Sequence, residues 1–286
     1  MKRFGLNSGY IGVDRRRDEA GIAPLQKVYL ERIRGGNYSP QSTLLLDLYP
    51  NAAVAYSLCK LRTSYSGSAI RVRRSSDNTE QDIGFVAGNL DTASLASFCA
   101  GTNGFVTTWY DQSGNNRNVI QTTAVYQPRI VNNGVVDSTG IRPSILHQSG
   151  SQELKLPSIY SIGNIFSAFG TIKFDSLNKE WMGRPGGYAL YAELNTTYLF
   201  FNTVSHSFGL QLAQPTLINS GNLTFYKNSN LVGTVSGASF DFQSLSGEAP
   251  TWNMVGYISE TIIYQFDQSS NRVAIETDIK TYYGIP

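Results

Sequence analysis

The sequence predicts an all-β sandwich with a few short helices, preceded by an extended N-terminal arm. Three observations carry that prediction. Only 15% of residues are charged and 12% are aromatic, against about 25% charged in an average soluble domain. Tyr, Phe, Thr, Ser, Asn and Gly are abundant, which suits strands and the turns between them. From Ile159 onward, short alternating runs recur between turn signals, and a sheet built from them must bury one face against a second layer.

The elements follow in chain order. Residues 1–43 form the arm and residues 44–286 the sandwich. The arm is basic: Lys2, Arg3, Arg15, Arg16, Arg17, Lys27, Arg32 and Arg34 face only Asp14, Asp18, Glu19 and Glu31. Within it, Leu25, Val28, Tyr29 and Ile33 recur at helical spacing and stop at Gly35-Gly36, so an apolar helix face needs a cover. Leu48 to Leu61 reads as a second helix, with Pro50 in its first turn. Ala69 to Arg74 alternates as a strand. Asp91 caps a short helix to Phe98, and Phe105–Tyr110 is a strand closed by the turn-rich run 111–116.

Later strands are expected at Phe166–Phe174, Gly187–Glu193, Tyr198–Asn202, Phe208–Leu212, Asn222–Lys227, Leu231–Val235 and Tyr257–Phe266. The clearest hairpin spans 222–233 around an Asn-rich turn where positive φ costs little. Ser269–Tyr283 closes the chain as a helix ended by Gly284.

Several function classes recede on composition. The net charge of +2 gives no reason to expect a nucleic-acid partner. No apolar run approaches the ~18 residues of a membrane helix, so no membrane insertion is expected. The start Met1-Lys2-Arg3-Phe4-Gly5-Leu6-Asn7-Ser8 turns polar at once and predicts no cleaved export signal. Cys59 and Cys99 are the only cysteines, too few for a disulfide framework or a zinc site, and a reducing compartment is expected. His147 and His206 lack the context of a metal site or triad.

Candidate ligand residues are few. Asp111, Ser113 and Asn115 place oxygens at alternate positions, as a weak calcium loop would, but a single carboxylate makes an Asx-stabilised turn the preferred reading. No cofactor is expected beyond that calcium candidate. Sugars stack their apolar faces on aromatic rings, so Trp181, Tyr188, Tyr198 and Trp252 are candidate glycan contacts, with core burial as the competing reading.

Three stretches resemble known families. The first runs from Ala52 to about Arg129 through Tyr65-Ser66-Gly67-Ser68-Ala69-Ile70-Arg71-Val72-Arg73-Arg74, Ser97-Phe98-Cys99-Ala100-Gly101-Thr102 and Trp109-Tyr110-Asp111-Gln112-Ser113-Gly114-Asn115. It looks like the N-terminal part of the catalytic domain of α-L-arabinofuranosidase B, which implies a concanavalin-A-like jelly-roll sandwich. The family's adjacent-cysteine motif is missing, and its Cys-x-x-x-x-Cys loop is halved: Cys99 is present and Gly104 takes the second place. The second stretch, the 225–232 hairpin with Gly256–Tyr264 and the closing helix, is similar to the end of laminin-G-like and lectin domains. The third, Arg3–Gly12 with Asp14-Arg15-Arg16, resembles the start of bacteriophage structural proteins that carry lectin-like domains.

That third resemblance implies a virion protein, a capsid decoration or tail-fibre component assembled in the host cytoplasm. It would be multi-copy and anchored to other virion subunits by Phe4, Leu6, Tyr10, Ile11, Arg15, Arg16, Leu25, Tyr29 and Ile33, with host glycans as a further partner. On this reading the protein is not an enzyme. The alternatives are a carbohydrate-binding module and an arabinofuranosidase-like hydrolase, whose acids would come from Glu193, Glu248 or Glu260.

Overall fold

A computed structural model describes residues 43–148, 151–175, 179–183, 190–192, 197–201, 204–208, 216–221, 224–227, 229–234, 240–246 and 254–286. The arm and its anchor residues lie outside the described residues.

The architecture is the expected one, a mostly β sandwich with a few short helices. Its first sheet is organised on the strand Gly256–Tyr264. Along one edge that strand pairs antiparallel with Val54–Ser57 and Ile145–His147. On the other edge it pairs with Ser167–Phe174. The sheet then continues through Thr216–Gly221, Thr224–Lys227 and Asn230–Thr234. The second sheet runs from Glu80–Ile83 through Ile70–Arg74, Gly104–Trp109, Val119–Ile120, Leu154–Gly163 and Phe240–Leu245 to Lys179–Gly183. Arg129–Asn132 touches a strand of each sheet and ties the layers together at one side.

The interior between the sheets is apolar and aromatic. Tyr56 meets Trp109 and Phe242 at ring-centroid distances of 6.0 and 6.2 Å, and all three are fully buried. Gly170 has no side chain because the ring of Trp181 fills the space where a Cβ would stand. Trp181 is anchored there by its indole N–H, which donates to Thr261 Oγ1 at 3.1 Å. The outer face of the first sheet is covered as well. Ile275, Ile279 and Tyr283 of the closing helix Arg272–Tyr283 are buried. Gly256–Tyr264 is therefore packed on both faces, and it is buried along nearly its whole length.

One expected element is different. Leu48–Leu61 is not a helix. Helix is confined to Leu45–Leu48, Asn51 turns the chain at φ 67°, and Val54–Ser57 is a strand buried along its whole length. The three-to-four spacing of Ala52, Ala53, Tyr56 and Cys59 suggested a helix, but these buried residues lie in or beside a strand paired with Gly256–Tyr264. The closing helix starts at Arg272 rather than Ser269 and ends at Gly284 in the left-handed region, φ 67°. Of the hairpin expected over 222–233, Thr224–Lys227 pairs with Asn230–Thr234, with Lys227 opposite Asn230 and Ser229 at φ 72°. No described helix is long and apolar enough to cross a membrane.

Candidate functional site

The run Asp111–Asn118 leaves the end of Gly104–Trp109 and folds back against Ala52–Ser57. Asp111 organises it. Its Oδ1 accepts from the amides of Ala55 and Ser113, both at 2.9 Å, and its Oδ2 accepts from Ser113 Oγ and the amide of Arg117. Gln112 is wholly buried. Its Oε1 accepts from the Leu61 amide and its Nε2 donates to the carbonyls of Ser57 and Cys59. Asn115 Nδ2 donates to the carbonyls of Ala52 and Ala53.

These contacts bear on the calcium candidate. Asp111, Ser113 and Asn115 do lie together, but both carboxylate oxygens are filled by N–H and O–H donors, and Asn115 presents its amide nitrogen to the loop. A cation would need those oxygens free. No group of three His, Cys, Asp or Glu suited to a metal occurs among the described residues.

The same loop walls a cleft of about 330 Å³. Asn51, Arg62, Ser113, Asn115 and Arg117 come from the first part of the domain, and Tyr160 and Gln265 from the second. The Arg117 guanidinium lies over the Tyr160 ring at 3.9 Å from its centroid, and the Tyr160 hydroxyl donates to Gln265 Oε1. Among the described residues, no carboxyl side chain lines the cleft. Sequence reasoning found the loop but not Arg62, Arg117, Tyr160 or Gln265. They converge from separate strands and turns, and no local motif joins them.

The expected aromatic contacts fare differently. Trp181 is 1% exposed, so it is a core residue and meets nothing from solution. Tyr188 and Trp252 lie outside the described residues, as do Glu193 and Glu248. Tyr198 falls in the strand Thr197–Phe201, with its side chain outside the described set. Glu260 is buried beneath the closing helix. Its Oε2 accepts from Ser57 Oγ at 2.6 Å and from Cys59 Sγ and Tyr283 Oη, while Oε1 has no partner. Burial raises its pKa from 4.5 to about 7, with the nearby Asp278 adding to the effect.

Gly104 sits against Cys99. A Cβ built at 104 would stand 2.7 Å from Cys99 Sγ, so the backbone keeps the arrangement that a bridging pair would need.

Comparison with known proteins bears on this geometry. The family model described as α-L-arabinofuranosidase B, catalytic, matches residues 48–141, less than half of the chain but including the whole 111–118 loop. A GH54 α-L-arabinofuranosidase soaked with a cyclic sulfate inhibitor superposes with a TM-score of 0.59 at 14% identity, over 81% of this chain and 63% of that one. An arabinofuranosidase complexed with arabinofuranosyl-α-1,2-xylobiose gives 0.57 at 14% identity, over the same shares. The fold is that of the α-L-arabinofuranosidase B catalytic domain. This arabinofuranosidase-type sandwich spans 63% of the length of those solved structures. No curated protein sequence matches the chain.

Proposed function

We propose that this arabinofuranosidase-type sandwich binds carbohydrate and does not cleave it. The observation that carries the reading is the lining of the cleft. Guanidinium, amide and hydroxyl groups surround one aromatic ring, and no carboxyl is among them in the described residues. Such groups meet sugar hydroxyls by hydrogen bonds, and a ring can take a sugar's apolar face. Hydrolysis of a glycosidic bond needs two carboxyls, about 5–5.5 Å apart in retaining enzymes and about 6.5–9.5 Å in inverting ones. Glu260, the carboxyl with a raised pKa, is sealed under the closing helix and reaches no open surface.

The resemblance of residues 48–141 to a glycoside hydrolase domain supports carbohydrate as the ligand class. A glycan array probed with the full chain, with arabinan and arabinoxylan included, is expected to give a selective response. A flat array would overturn the binding reading. Release of arabinose from arabinan or from a chromogenic arabinofuranoside would overturn the absence of cleavage.

The arm supports a second reading on its sequence alone, attachment of several copies to other virion subunits. The comparisons add nothing to it. Deleting residues 1–37 is expected to leave a folded sandwich that no longer joins particles, and incorporation of the truncated chain would remove this reading.

A further inference from the structure

We infer that the cleft takes an acidic sugar, a uronic-acid residue whose carboxylate is held by Arg62 and Arg117. The inference rests on the carbohydrate-binding reading and adds the class of sugar.

The charge pattern is the first argument. Arg71, Arg74, Arg129 and Arg272 each form an ion pair with an Asp or Glu. Arg62 and Arg117, the two arginines of the cleft, form none among the described residues. Asp111 and Asp47 are each engaged by other donors. Asp111 has both oxygens filled from behind the loop. Asp47 accepts from the amides of Leu44 and Thr63 and from Thr63 Oγ1. Among the described residues the cleft is thus lined by two guanidinium groups and no carboxyl side chain, with the Asp111 carboxylate turned into the loop behind it.

The donor geometry is the second argument. A guanidinium carries five N–H donors in a planar fork. Arg62 spends Nη1 on the Ser113 carbonyl at 2.7 Å, and its Nε is buried without a partner. Arg117 spends Nη1 on the Ala53 carbonyl at 2.9 Å and is held flat by Tyr160. Each fork is fixed by a backbone bond and keeps donors in hand, and a planar carboxylate accepts such donors in pairs. Space for Arg62 is built in: Gly114, at φ +96°, lacks the Cβ that would stand 2.7 Å from its Nη1. A cleft of about 330 Å³ holds far more than a carboxylate, and Asn115 and Tyr160 on its wall suit the rest of a sugar ring.

The test is calorimetric titration of the full chain. The probes are trigalacturonate, neutral arabinotriose, a sulfated oligosaccharide of the same length and inorganic sulfate, each at low and high salt. Trigalacturonate is expected to bind at least about tenfold tighter than the neutral sugar, with the preference shrinking as salt rises. Arg62→Gln and Arg117→Gln are each expected to weaken the acidic sugar roughly tenfold and the neutral one far less, so that the preference for the acidic sugar collapses. Equal binding of acidic and neutral sugars would overturn the inference and leave the carbohydrate reading standing. Tighter binding of the sulfated sugar would overturn the carboxylate assignment. Binding of inorganic sulfate with no binding of any sugar would overturn both. If thermal melts show a variant unfolded, the wild-type salt series decides, and an acidic preference indifferent to salt would count against the inference.

Discussion

Two buried titratable residues give the molecule opposed responses to pH. Glu260 keeps its proton to about 7 in the folded state, against 4.5 ordinarily. Its contribution is complete below 4.5 and is lost as pH rises to 7. His147 is buried, donates from Nδ1 to the Gln152 carbonyl at 3.2 Å, and has its pKa lowered from 6.5 to about 4 by that burial. Its contribution is complete above 6.5 and is lost as pH falls to 4. Each effect is roughly 3 kcal/mol by linkage, and between 4.5 and 6.5 the slopes cancel. Asp77 and Asp91, whose pKa values are lowered, act only below their ordinary 3.8. Urea midpoints should therefore be flat from pH 5 to 6 in the wild type. Glu260→Gln should fall on acidification and His147→Gln on alkalinisation. Parallel profiles for the two variants would contradict this account. Gly104→Cys belongs at the same scale. Its thiol would lie beside Cys99, and under oxidising conditions the pair should close a bridge worth about 2 kcal/mol, visible as loss of both titratable thiols. Val72 and Val131, each 3.1 Å from the added Cβ, must yield slightly for it to form.

At the scale of elements, the sequence was readable where a local device sets the structure. The helix Thr92–Phe98 begins where Asp91 Oδ1 accepts from the Ser94 amide at 2.9 Å and Oδ2 from its hydroxyl. Asp91→Ala should lower stability by about 1 kcal/mol in a denaturant titration. The hairpin was legible for a like reason, since its tight turn falls in the Asn- and Ser-rich stretch between two alternating runs, with Ser229 at φ 72°. Val54–Ser57 was misread because its state is set from elsewhere. Gly256–Tyr264 gives it partners two hundred residues away, and that pairing overrides the helical spacing of Ala52, Ala53, Tyr56 and Cys59. The 111–118 run was recognised as a turn, but its work was not visible. Gln112 satisfies one amide and two carbonyls from 51–55 residues away. Gln112→Leu should leave those three groups unpaired and cost several kcal/mol, measurable as a large drop in melting temperature.

For the whole molecule, the class of fold followed from composition and strand rhythm, and the resemblance of 52–129 and 225–283 placed it among concanavalin-A-like sandwiches. The site did not follow. Arg62, Arg117, Tyr160 and Gln265 become neighbours only once the two sheets are stacked, so no spacing in the chain announces them. Trp181 shows the converse. Its ring could have served a ligand, and only the missing side chain at Gly170 reveals that it fills the interior.

The pairing of Val54–Ser57 with Gly256–Tyr264 also sets an order of events in time. Val54–Ser57 must wait for that partner until about two hundred further residues have been polymerised. Arrested nascent chains ending before Gly256 should then be digested by protease throughout, and resistance should appear in one step once the closing helix has cleared the exit tunnel. Assembly of this domain is a late event with a long interval of exposure, in which a chaperone is most useful to it.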